Sequence, residues 1–338
     1  MKGIGAPAGT LMLFLGAGSL LFSFPDAGEG VSSSERSFHL RYEAIVGSVP
    51  SDAKRIEIWI PLATSNERQT IMRRIIESPV PYQITRDGEY GNEILYVNVQ
   101  GPIPAGLKVA VEYDAFVQGG MSDLKRARAV SAPADEGLSK FLKPTTYMKI
   151  DERVTALSQS ITAGAPDPVL QARRIYDYVI ERMTYEKETP GWGRGDTMRA
   201  CELGTGNCTD FHSLFISLAQ ASRIPAKFQI GLPLPDKEEG EIPSYHCWAQ
   251  FYAPSAGWVP VDASEAWKNR QMIDYFFGTY DPNRLALSTG RDIQLVPKPA
   301  NGPVNIFFFP HVEIDGKVAG KEQVKTKFQF RNLSRSEA

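Results

Sequence analysis

A chain of 338 residues, 42% hydrophobic and 22% charged, has the length of two or three domains and ample material for a buried core. Its formal net charge of −2 gives no basis for a nucleic-acid or anionic-membrane partner. Three cysteines, at 201, 208 and 247, are too few and the wrong parity for a secreted disulfide scaffold, while a thiol enzyme needs only one.

The chain opens with Lys2 and an apolar run at 11–22, too short to span a bilayer comfortably, followed by polar, flexible residues 28–34. Residues 1–27 therefore read as a signal peptide. Cleavage after Ala27 would leave Pro25 where a small residue is preferred, so an uncleaved anchor is the alternative. No cysteine follows the run, which argues against a lipoprotein. Either reading predicts an exported protein, periplasmic or secreted, with no membrane contact beyond that anchor.

Residues 36–120 alternate with period two at 38–44, 55–62, 93–99 and 107–113, with turn residues between the runs, and predict an antiparallel β-sandwich. His39 falls in one of these strands and reads as an ordinary strand residue. Residues 121–138 read as an exposed connection whose basic cluster at 125–128 is a solvated face. Residues 139–335 form the predicted catalytic domain.

It begins with helices. One covers 151–161, and a second starts with Asp167 as cap and Pro168 at the first helical position. Ala172, Tyr176, Val179 and Met183 make the second helix's buried stripe, flanked by Ile175 and Ile180. Asp196 caps a short third helix that Gly204 ends. Between them, 189–195 is glycine-rich but lacks phosphate-loop spacing. Its Trp192 either walls a cleft or packs its own loop.

The stretch 206–212, Gly-Asn-Cys-Thr-Asp-Phe-His, then opens an amphipathic run in which Phe211, Leu214, Phe215 and Leu218 fall at i, i+3, i+4 and i+7. Cys208 thus stands in the first helical turn, where free N–H groups and the helix dipole favour a thiolate. Residues 232–243 are a proline- and acid-rich insertion leading to a predicted strand at 245–252, a turn at 253–257 and a returning strand at 258–262. The hairpin either pairs Tyr252 with Trp258 or slips by two so that His246 faces Asp262; both registers put His246 and Asp262 on one face. After residue 285, strands are predicted at 292–296, 304–309 and 326–330, with a hairpin turning at Asp315-Gly316, and these extend the catalytic sheet. His311 reads as structural.

The motifs at 206–212, 223–227 with Gly231, 246–248 and 257–262 resemble the bacterial transglutaminase-like superfamily over about 151–285. The resemblance implies an α+β fold, with a papain-like core of helices packed on an antiparallel sheet preceded by the all-β sandwich. It also implies roles: Cys208 as nucleophile, His246 as general base and acid, Asp262 as the orienting carboxylate. The expected activity is a cysteine-dependent peptidase or amidase working through a thioester on a peptide or amide substrate, such as a cell-wall component or exported protein. A cross-linking transamidase and a non-catalytic peptide- or glycan-binding module are the alternatives. No cofactor or metal is expected. No acidic cluster has calcium-loop spacing, and His246 and Cys247, adjacent on a strand, could hardly both reach one zinc ion.

Overall fold

The computed structural model describes residues 35–334 apart from 48, 105, 128–135 and 255. The signal or anchor reading of residues 1–27 lies outside them, as do residues 128–135 of the connection.

Two five-stranded antiparallel sheets form the sandwich. The first runs in the order Glu239–Glu241, Val324–Asn332, Glu35–Val46, Leu107–Gln118, Gln69–Glu77; the second runs Lys317–Val318, His311–Ile314, Arg55–Leu62, Glu93–Gln100, Tyr82–Arg86. Alternation decides which residues meet inside. Along Glu35–Val46 every second residue from Phe38 to Val46 is buried. On the outer face His39 Nδ1 lies 2.7 Å from Asp114 Oδ1, so this histidine is part of a cross-strand ion pair.

The C-terminal strands depart from expectation. They do not extend the catalytic sheet, and the division at 121–138 does not separate sandwich strands from later ones. Val324–Asn332 pairs with Glu35–Val46, placing Phe328 opposite Tyr42, with ring centroids 4.5 Å apart. His311–Ile314 pairs with Arg55–Leu62. The physical reason is that the sandwich strands offer open edges and unfilled core positions, whereas the catalytic sheet's edge is already occupied. There the Gln69 amide exchanges hydrogen bonds with the backbone of Ala286 (2.8 and 3.0 Å), and the Asn92 amide does the same with Thr289 (2.8 Å each). The runs 292–296 and 304–309 form only a single bridge, Ile293 to Val304. Positive φ at Gly290 and Asp292, with Pro297, Pro303 and Pro310 beside them, stops regular pairing. The Asp315-Gly316 hairpin is present, both residues at positive φ.

Part of the predicted connection is also paired: Gly120–Met121 makes a two-stranded ladder with Thr279–Tyr280.

The catalytic half is a four-stranded antiparallel sheet, Gly257–Val261, His246–Ala253, Ala226–Pro233, Arg284–Thr289, packed on the helix Cys208–Ala221. Phe211, Leu214, Phe215 and Leu218 are fully buried, as are the other residues of that helix up to Gln220. It is a core helix, with Glu152–Thr162, Pro168–Arg182 and Thr197–Leu203 around it. Asp151, Asp167 and Asp196 cap these three, each side chain accepting from a first-turn N–H, and Gly204 ends the last at φ 63°. Among the described residues no helix is long and apolar enough to cross a membrane.

Candidate active site

Local chemistry fixes the turn before Cys208. Asn207 is extended, and its side-chain oxygen accepts from Thr209 N–H at 2.9 Å, ending the chain's approach and starting the helix. Asp210 completes a capping box by accepting from Asn207 N–H at 3.0 Å. The same carboxylate accepts from Gly193 N–H at 2.6 Å and Gly195 N–H at 3.0 Å, so it fastens the glycine-rich loop to the turn. Gly206 has to be glycine: its φ is 153°, and an added Cβ would lie 2.3 Å from Asp210 Oδ2.

The hairpin takes the first of the two predicted registers, Tyr252 opposite Trp258. His246 opens its strand, and Asp262 follows the partner strand as N-cap of the short helix Ala263–Lys268. The two side chains meet. His246 Nε2 is 2.6 Å from Asp262 Oδ2, which leaves Nδ1 for the Cys208 sulfur, whose ionised form His246 favours. The three sequence-predicted residues are thus brought together, at 3%, 7% and 2% exposure for Cys208, His246 and Asp262.

Desolvated charges interact strongly, and the titration behaviour follows. The neighbouring Cys247 side chain holds the Cys208 sulfur well below the usual thiol range; burial opposes this, and His246 reinforces it. Burial alone would push the His246 imidazole down, but the Asp262 carboxylate and the Cys208 sulfur outweigh it and bring the value to about 9. Asp262 is held well below the ordinary carboxylate range despite its burial, by the charges of His246 and Arg284. The combination favours a thiolate–imidazolium pair at neutral pH.

Several participants were not legible in the sequence. Arg284 reaches Asp262 Oδ2 at 2.6 Å from a strand distant in the chain, and no local motif marks it. Tyr245 OH accepts from Asn207 Nδ2 at 2.9 Å and so stands beside the helix start. The spacing of Asn207 and Asp210 is a capping-box signal that sequence reading could have used. Cys247 faces the helix and not Cys201: its sulfur is 3.7 Å from Thr209 Oγ1 and 3.8 Å from His212 Nδ1. His212 accepts from Ala263 N–H at 3.1 Å through Nε2, so it packs beside the active-site helix and steadies the residue after Asp262.

Of the tryptophans, Trp248 is buried, stacks on His246 with centroids 6.3 Å apart, and donates to Gln229 Oε1 at 2.8 Å. Trp267 packs on Phe211 and Tyr185. Trp192 is exposed and lines a groove of about 300 Å³ with Tyr245, Phe308 and Phe309.

The model of the transglutaminase-like superfamily matches residues 155–263, a span that holds Cys208, His246 and Asp262. The chain carries a transglutaminase-like core. A protein of Haemophilus influenzae, itself uncharacterized, is 26% identical over 299 residues, covering 77% of this chain and 80% of its own. The crystal structure of a candidate cysteine protease from Cytophaga hutchinsonii superposes with a TM-score of 0.63 at 14% identity, covering 89% of this chain and 92% of that one. That likeness extends past the transglutaminase-like core into the sandwich and concerns fold alone.

Proposed function

We propose that this protein is an exported cysteine-dependent amide hydrolase in which Cys208, His246 and Asp262 act as a triad. The observation that carries the reading is the buried chain of contacts from the Cys208 sulfur through His246 to Asp262 Oδ2, with the sulfur at a helix N-terminus. In the reaction, the Cys208 thiolate attacks the amide carbonyl, and the Cys208 backbone N–H, free at the first helical position, faces the developing oxyanion. His246 gives its proton to the departing amine, leaving a thioester. Neutral His246 then takes a proton from water, which hydrolyses the thioester and frees the thiolate. Asp262 keeps the imidazole oriented and stabilises its charged form.

Hydrolysis is favoured over transamidation because the tryptophans available for an amine tunnel are otherwise engaged: Trp248 with Gln229, Trp258 beneath Lys227, Trp267 half-buried against Phe211 and Tyr185. Trp192 and its aromatic groove suit an apolar side chain on the acyl side of a peptide. The deciding experiment supplies glutamine-containing and cell-wall peptides with excess labelled primary amine. It compares free acid and ammonia released with amine incorporated, in native protein and Cys208→Ala. Turnover by Cys208→Ala rejects the thiol mechanism; dominant incorporation at millimolar amine rejects hydrolysis and keeps the thiol. For export, the mature chain from its native host is expected to begin near Gly28 or at 32–34, and N-terminal sequencing together with fractionation tests it. An intact Met1 supports the anchor, and a cytosolic pool rejects both.

A further inference from the structure

The catalytic sheet has a second face. Cys247 and Phe251 point toward the helix Cys208–Ala221, so the alternate residues Trp248 and Gln250 point the other way. There they floor a cleft of about 470 Å³, walled opposite by residues 64–69 of the sandwich. Lys227 is the register partner of Gln250, so their side chains emerge together. The Lys227 Nζ rests 4.0 Å above the Trp258 ring, and among the described residues it has neither a carboxylate in ion-pair range nor a hydrogen-bond acceptor. Gln250 is 6% exposed, and its amide likewise has no hydrogen-bond partner among them. Thr279 lines the same cleft with a buried, unpartnered hydroxyl.

Of these groups the Thr279 hydroxyl is buried and unpaired, which stability alone disfavours, while Lys227 and Gln250 turn their polar ends into the open cleft. The other charges of the cleft are disposed differently. Arg284 is held by Asp262 and Arg86 by Glu93, and Arg68 lies 4.5 Å over the Tyr280 ring; Glu67 and Asp281 stand at its margin. What faces a ligand is the Lys227 ammonium and the Arg68 guanidinium, each over an aromatic ring, with the Gln250 carboxamide and the Thr279 hydroxyl beside them.

We propose that this cleft binds the terminal carboxylate of a peptide, with Lys227 on the carboxylate and Gln250 on the adjoining peptide group. A carboxamide offers both a donor and an acceptor, which matches a peptide unit. A phosphate site would instead gather guanidinium forks or a nest of backbone N–H groups. The rings of Trp258 and Tyr280 flank the bound residue. This site adjoins the triad, since Trp248, which stacks on His246, and Arg284, which holds Asp262, both line it; Gln250 lies two side chains along the strand from His246.

The test is calorimetric titration of the full chain carrying Cys208→Ala, which cannot turn substrate over. The probes are N-acetyl-alanyl-alanine and its C-terminal amide. The acid is expected to bind and the amide to bind at least ten-fold more weakly. Lys227→Met and Gln250→Leu should each weaken the acid at least ten-fold, with circular dichroism and Tm preserved. Lys227→Arg, which keeps the charge, should retain binding within a few-fold and covers the case in which the methionine variant does not fold. Failure of the acid to bind, equal affinity of acid and amide, indifference to Lys227→Met, or tighter binding of inorganic phosphate each overturns the proposal. None of these outcomes depends on Cys208 being a nucleophile.

Discussion

Removing the His246 side chain separates the contributions that keep Cys208 ionised. In the native fold His246 titrates at about 9 against an ordinary 6.5. That rise corresponds to about 3 kcal/mol of net preference for the imidazolium. Part of it comes from Asp262 and part from the Cys208 sulfur, and the sulfur's part is reciprocal: what the thiolate gives the imidazolium, the imidazolium gives the thiolate. His246→Ala should therefore raise the Cys208 pKa. The Cys247 side chain and the helix N-terminus remain and still favour the thiolate. The assay is the iodoacetamide alkylation rate from pH 4 to 10, with peptide mapping to separate Cys208 from half-buried Cys201 and buried Cys247. At neutral pH the native rate should be on its plateau and the variant's still rising. Coincident profiles would refute the ion pair and leave Cys208 as an ordinary buried thiol.

Further outcomes follow from the same geometry. Asp262→Asn keeps a competent helix cap but leaves Arg284, nearly buried, only its 3.8 Å contact to Asp281, so it should cost about 1–3 kcal/mol in urea unfolding and lose less activity than Cys208→Ala. Stability should be nearly flat between pH 6.5 and 9 as far as Cys208 and His246 are concerned. A raised His246 contributes fully below 6.5 and is lost through about 9, while a depressed Cys208 contributes increasingly across the same window. Cys208→Ala removes the second effect, so its Tm should fall over that range while the native Tm does not. Gly231→Ala should destabilise by more than about 2 kcal/mol, because the added Cβ would meet the backbone oxygen of Leu285 at 1.9 Å and prise the edge strand Arg284–Thr289 from its neighbour; an unchanged urea midpoint would contradict that contact.

How far the fold and site could be read from the sequence depended on whether the signal was local. Asp151, Asp167, Asp196 and Gly204 carry capping chemistry that acts within one turn, and each is where its neighbours place it. The hairpin from His246 to Asp262 was legible because period-two alternation settles faces once the turn is known. Arg284 was not, since its meeting with Asp262 depends on which strands become neighbours. Strand partnership likewise hid the destination of Val324–Asn332. Its alternating pattern suits any open edge, and only the amides of Gln69 and Asn92, arriving from the sandwich, close the catalytic one. The runs at 292–296 and 304–309 had strand composition, but positive φ at Gly290 and Asp292 redirects the backbone before a ladder can form.

The pairing of Glu35–Val46 with Val324–Asn332 also governs the order in which a growing chain can be completed. Arg36 and Asn332 are hydrogen-bonded across 296 positions of sequence. Until the later strand leaves the ribosome, the earlier one presents an unpaired edge and Tyr42 lacks its Phe328 cover. The short strand Glu239–Glu241, which leads into His246, hangs on that same late strand and has no other sheet partner. A nascent chain can therefore wind the Cys208 helix well before it can moor the approach to His246. Ribosomes stalled before residue 324 would release a species with a sticky open edge, a natural client for a chaperone that shields unpaired strands.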